Sequence, residues 1–190
     1  MDRIAALVER QVITLSEVGQ LADLRAIPRN PGETGDAYRR RLLDGLIAQS
    51  LRLADAERFG AEDVAKDSIE ARLQEVRARF ASEAEFLAAL GRTELTLDEL
   101  RAILKRQLQV EAYIEERFSP LIFVSIEEIE TYYRGPWLEQ RRARGLASVP
   151  LSEVREEIRS LLKAERLEKE VSLWTEQLRA RANVDVYVYR

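Results

Sequence analysis

Neither histidine nor cysteine occurs among the 190 residues. That double absence excludes Ser-His-Asp and Cys-His catalytic centres, thiol redox chemistry and ordinary zinc sites. It also excludes disulfides, and so leaves the redox compartment open. Methionine is present once, which argues against a soft, methionine-lined binding surface. Lysine is confined to Lys66, Lys105, Lys163 and Lys169, and every other cation is arginine. No apolar run approaches the ~20 residues that a membrane-spanning helix needs, and no internal repeat or low-complexity tract is visible. What remains is 46% hydrophobic and 34% charged with a net charge of −4. That is enough apolar material for a core under a well-solvated surface, and too much for a disordered chain.

Carboxylate chemistry is the one catalytic option left. The pairs Glu115-Glu116, Glu127-Glu128 and Glu156-Glu157 do not support it, because helix neighbours diverge by about 100° and each pair sits in a repeatedly charged face. Arg141, Arg142 and Arg144 read as a solvated loop, since the net charge is negative and no lysine-rich face accompanies them. The expectation is therefore a non-enzyme with no cofactor and no metal, with no nucleic-acid partner and no membrane insertion.

Elements follow from spacing. Ile4 to Val8 and Val12 to Thr14 are β-prone runs around a polar break, which predicts a hairpin. Thr14-Leu15-Ser16-Glu17 is a capping box, opening a helix expected to reach about Ile27. Pro28, Asn30, Pro31 and Gly32 then form a loop. Asp36 to Phe59 carries Leu42, Leu43, Leu46, Ile47, Leu51 and Leu53 on a helical stripe, with Gly60 placed for a left-handed cap. Ile69, Leu73, Val76 and Phe80 mark another helix. Boxes at Ser82–Glu85, Thr96–Glu99 and Ser125–Glu128 open three more, the first ending at Gly91, the second before Pro120 and the third at a Gly135-Pro136 break. A long helix runs from Leu151 to about Ala182, roughly 45 Å at 1.5 Å per residue. The tail Asn183 to Tyr189 alternates strictly, with Val184, Val186 and Val188 on one side and Asp185, Tyr187 and Tyr189 on the other. A lone strand is unstable, so the two chain ends are expected to meet. The predicted fold is mainly α, about six helices with a small antiparallel sheet joining the N- and C-terminal strands.

In this order the motifs resemble the SurA-type periplasmic chaperones. Asp2-Arg3-Ile4-Ala5-Ala6-Leu7-Val8 followed by Val12-Ile13-Thr14-Leu15-Ser16-Glu17-Val18 is similar to the family's opening strand and turn. Arg40 to Ile47, Phe59-Gly60, Leu95 to Arg101 and Arg106-Gln107-Leu108 resemble its next helices. Val124-Ser125-Ile126-Glu127-Glu128-Ile129 with Tyr132-Tyr133 resembles its exit segment. Pro150 to Arg155, with Trp174 and Leu178-Arg179, resembles its returning helix. Family members usually insert parvulin-type prolyl isomerase domains between exit and return, and such sites rely on histidines. Here only Arg134 to Val149 separate the landmarks, and histidine is absent. The resemblance therefore implies a single SurA-like chaperone core over 1–190, with an N-terminal region 1–134, a linker 135–149 in place of the isomerase and a C-terminal helix and strand 150–190.

What it implies about function is ATP-independent holding of unfolded secreted and outer-membrane polypeptides, without isomerase activity. The location implied is periplasmic, although Met1-Asp2-Arg3 carries no signal pattern. That leaves a cytoplasmic chain, or one numbered after a removed signal. Peptide contact is expected from Leu121, Ile122, Phe123, Tyr132, Tyr133 and Trp137, which cluster around the exit. The competing reading for Ile122, Phe123 and Tyr132 is plain core packing. Trp137, after the Gly-Pro break and before the arginines, has less reason to be buried. Tyr187 and Tyr189 cover a face of the terminal sheet, with peptide pairing along its edge as the lesser reading. The alternative function is a structural or assembly module, and exchange of the C-terminal helix or strand would make a homodimer.

Overall fold

A computed structural model describes residues 2–25, 27–60 and 63–188. Met1 and Tyr189 lie outside the described residues, and with them the part of the terminal strand expected at Tyr189. The chain is mainly helical: β1 (Ile4–Val8), β2 (Gln11–Thr14), α1 (Leu15–Asp23), α2 (Gly35–Arg58), α3 (Lys66–Arg77), α4 (Glu83–Arg92), α5 (Leu97–Phe118), α6 (Ile126–Tyr132), α7 (Leu138–Ala143), α8 (Leu151–Arg181) and β3 (Val184–Val186). It divides into two compact units, Met1–Tyr113 with Thr175–Arg190, and Ile114–Trp174. Their boundaries fall inside α5 and α8.

In the first unit the chain ends do meet. The sheet order is β2-β1-β3, both pairs antiparallel, with Ala6 opposite Val186 and Val8 opposite Val184. A register shift between Ile4 and Ala6 places one extra residue in β1, and such a bulge turns the strand. Ala5 and Ala6, adjacent in sequence, are consequently both fully buried. The valines Val184, Val186 and Val188 pack against a core of Val8, Ile13, Val18, Leu42, Leu43, Ile47 and Leu51. The alternation holds, with the valines toward this core and Tyr187 exposed on the other side. The hairpin turn bends at Glu9, which takes a left-handed φ of 55°.

A second cluster in this unit joins Leu24, Leu73, Val76, Phe80, Phe86, Ala89, Leu90, Leu100 and Leu104. Phe80 and Phe86 meet edge-on at 5.7 Å, the favoured aromatic geometry. The side chain of Arg25 donates to the Arg79 carbonyl (2.8 Å) and that of Arg79 to the Arg25 carbonyl (2.9 Å), while Arg25 also pairs with Glu85 (2.7 Å).

Local rules explain most helix starts. Thr14–Glu17, Thr96–Glu99 and Ser125–Glu128 form reciprocal capping boxes. At Ser82 only half the box forms, because the Glu85 carboxylate accepts from the Ala81 amide instead. Several boundaries differ from expectation: the terminal strand covers only Val184–Val186, and the helix expected to carry Phe80 ends at Arg77. Helix α1 ends at Asp23 and not near Ile27, because Arg25 turns left-handed at φ 50°. Helix α4 continues past Gly91 to Arg92; the left-handed residue is Glu94 at φ 56°, and Thr93 Oγ1 donates to the Leu90 carbonyl at 2.6 Å. Gly135-Pro136 does not break its helix. A π-turn (Tyr133–Trp137) carries the helical path from α6 into α7. Proline lacks the N–H for an i−4 bond and its ring crowds that carbonyl, and one widened turn accommodates both effects.

Candidate functional site

The second unit has its own core. Val124, Ile129, Val154 and Ile158 are buried together, and Tyr132, Tyr133, Trp137, Val149, Leu151 and Leu162 pack against them. Phe118 and Trp174 lie 5.3 Å apart, with Arg117 over the indole at 5.9 Å.

Between α5 and α6, after a single 3-10 turn (Ser119–Leu121), the chain is extended at Ile122. Burial then alternates with period two: Leu121 exposed, Ile122 half-buried, Phe123 exposed, Val124 buried. Alternation of this kind follows from extended backbone, where successive side chains point to opposite sides. Leu121 and Phe123 are 77% and 75% exposed, the two most solvent-open large apolar side chains described. Ile126, in the first turn of α6, is 58% exposed and extends the apolar surface.

The segment is held firmly. Arg166, on α8, donates to the Phe123 carbonyl and ion-pairs with Glu128. Glu128 also accepts from the Ser125 amide (2.8 Å), and the Ser125 hydroxyl accepts from the Glu128 amide (3.2 Å). The Ser125 amide and then the Arg166 guanidinium hold the Glu128 carboxyl below its usual range. Backbone at Phe123, the cap at Ser125 and a long-range arginine are thereby linked. Rigid display of two apolar side chains suits weak, non-directional contact with many apolar sequences.

The other expected contacts face inward. Tyr133 donates its hydroxyl to the Val149 carbonyl at 2.8 Å, and desolvation raises the Tyr132 phenol. Trp137 is half-buried, and its indole N–H is buried without an acceptor among the described residues. The six residues thus divide into an outward pair, Leu121 and Phe123, with Ile122 behind them, and an aromatic trio on the core. Sequence reasoning missed Ile126 because it shares a helical stripe with the buried Ile129, and periodicity does not separate the two. It missed Arg166 because nothing local connects residues 43 and 38 positions apart.

No family profile matches the chain. Individual relatives do. Over 139 residues it is 26% identical to Chaperone SurA of Saccharophagus degradans, covering 70% of this chain and 32% of that protein. Over 159 residues it is 28% identical to Chaperone SurA of Chromobacterium violaceum, covering 78% and 36% respectively. The chain is SurA-like. It spans about a third of the length of these curated relatives. The SurA-like fold is also that of a solved chain from work describing PEB4 and the periplasmic protein Cj1289 of Campylobacter jejuni as two structurally related SurA-like chaperones. That match has a TM-score of 0.52 at 12% identity, and covers 97% of this chain and 99% of that one. Among the described residues of the SurA-like chain, no helix is long and apolar enough to cross a membrane.

Proposed function

We propose that this SurA-like chain is an ATP-independent periplasmic chaperone that holds unfolded secreted and outer-membrane polypeptides and has no prolyl isomerase activity. The observation that carries this reading is the outward pair Leu121 and Phe123, with the Phe123 carbonyl held by Arg166. Ile126 extends the contact surface; Ile122, Tyr132, Tyr133 and Trp137 support it from the core side. The similarity to proteins named Chaperone SurA supports the chaperone role, and the class of client and the compartment are part of the proposal. In this reading residues 135–149, which comprise the end of the π-turn, the short α7 and the loop after it, take the place of the isomerase.

The test is dilution of a urea-denatured outer-membrane β-barrel protein, followed by light scattering, with and without this chain. The wild-type chain is expected to suppress scattering. Leu121→Ser with Phe123→Ser removes most of that suppression at unchanged melting temperature, because exposed side chains contribute little to folding. If the wild-type chain leaves aggregation unaltered and sediments as a discrete oligomer, the chaperone reading fails, and an assembly module built by exchange of α8 and β3 replaces it.

A further inference from the structure

A cleft of about 320 Å³ lies apart from the Leu121–Phe123 surface in sequence, lined by Tyr133, Leu138, Arg141, Arg142, Leu146 and Ser148. It sits at the small end of the roughly 300–1,000 Å³ that ligand pockets occupy, enough for one or two residues of a peptide.

Its walls are pre-formed. Helix α7 ends in a paired C-terminal cap: the Gly145 amide donates to the Arg142 carbonyl (3.0 Å) and the Leu146 amide to the Arg141 carbonyl (2.9 Å), with Gly145 left-handed at φ 67°. Arg141 Nε donates to the Ala147 carbonyl (2.9 Å) and the Tyr133 hydroxyl to that of Val149 (2.8 Å). The loop is therefore tied back to α7, which holds Leu146 and Ser148 in the same lining as the arginines.

Its local charge is positive. Residues 134–150 contain Arg134, Arg141, Arg142 and Arg144 against Glu139 alone. Arg134 is paired with Glu130 (2.7 Å), whereas neither Arg141 nor Arg142 makes an ion pair among the described residues. With Nε engaged, Arg141 retains its terminal nitrogens, and Arg142 retains its whole donor fork. Guanidinium forks bind carboxylates in two-pronged fashion. Leu138, Leu146 and the Tyr133 ring supply an apolar wall that a bare inorganic anion would leave empty.

We infer that this cleft binds a carboxylate carried next to an apolar side chain, as at the C-terminal residue of an unfolded polypeptide, with Arg141 and Arg142 on the carboxylate and Leu138, Leu146 and Tyr133 on the side chain. The polypeptide source of the ligand rests on the chaperone reading; the carboxylate chemistry does not.

The test is calorimetric titration of the full chain with acetyl-Gly-Ser-Ala-Phe as the free acid, as its C-terminal amide, and as an amide with glutamate before the phenylalanine. Sodium acetate and inorganic phosphate serve as further probes. The free acid is expected to bind at least about tenfold more tightly than the plain amide and than acetate, and Arg142→Gln, which breaks no internal bond, to lose about the same factor. If the glutamate-bearing amide matches the free acid, the carboxylate site stands and its source is a side chain, overturning the C-terminal assignment. Equal binding of acid and amide, no effect of Arg142→Gln, or phosphate binding as tightly as the free acid overturns the site altogether. Loss of client protection in the scattering assay with peptide discrimination intact sinks the chaperone reading alone.

Discussion

Glu9 and Asn183, from opposite ends of the chain, bind each other twice: the Glu9 amide donates to the Asn183 carbonyl, and the Asn183 amide to the Glu9 carboxylate, both at 2.8 Å. The second bond helps to hold Glu9 in its left-handed turn. Glu9→Ala removes it without relieving the backbone, and is expected to lower the melting temperature. Glu9→Asn, which tolerates φ above zero, should cost less. Thermal unfolding monitored by circular dichroism distinguishes the two; equal losses would show that the turn conformation carries no cost.

Arg166 holds the Phe123 carbonyl and, through Glu128, the cap at Ser125. Arg166→Gln frees the Phe123 carbonyl and leaves Glu128 without its cation. Faster amide exchange is expected at residues 122–126, together with weaker client protection, while the helices of the Met1–Tyr113 unit keep their exchange rates. Unaltered exchange would show that the Ser125 cap alone fixes the segment.

Acid is expected to loosen the 28–34 loop. Arg41 donates to both carboxylate oxygens of Glu33 (2.9 and 2.8 Å) and Asn30 donates its amide (3.1 Å), which lowers the Glu33 carboxyl from 4.5 to about 2. A carboxyl depressed on folding contributes stability that is complete above its unfolded value and is lost as pH falls toward the folded one. Stability should therefore decline between about pH 4.5 and pH 2. Glu33→Gln flattens that decline. Urea midpoints measured across the range check the slope.

Phe86 is fully buried against Phe80 and under the Arg77 guanidinium. Phe86→Ala is expected to cost about 3–5 kcal/mol, at roughly 2–4 °C per kcal/mol for a chain of this size. Differential scanning calorimetry reads the loss.

Trp137→Phe tests the opposite case. Among the described residues the buried indole N–H has no acceptor, and an unmade buried hydrogen bond costs about 1–3 kcal/mol. The substitution is expected to leave the melting temperature equal or higher and client protection intact. A clear loss of protection at normal stability would move Trp137 into direct client contact.

The sequence by itself determined what depends on neighbours within a few residues. Capping boxes at Thr14, Thr96 and Ser125 placed helix starts, and the two-residue period of Val184, Val186 and Val188 set all three on one side of the C-terminal tail. Only the tertiary structure decided which of Leu121, Ile122 and Phe123 face solvent, since the unbroken apolar run from Leu121 to Val124 has no internal alternation to read. It also decided that Pro136 widens a turn in place of breaking a helix, that Arg166 reaches Phe123, and that Arg141 and Arg142 border a cleft. Local hydrogen bonds and side-chain periods are properties of a short stretch of chain. Burial and long-range pairing are settled only when distant segments compete for the same surface.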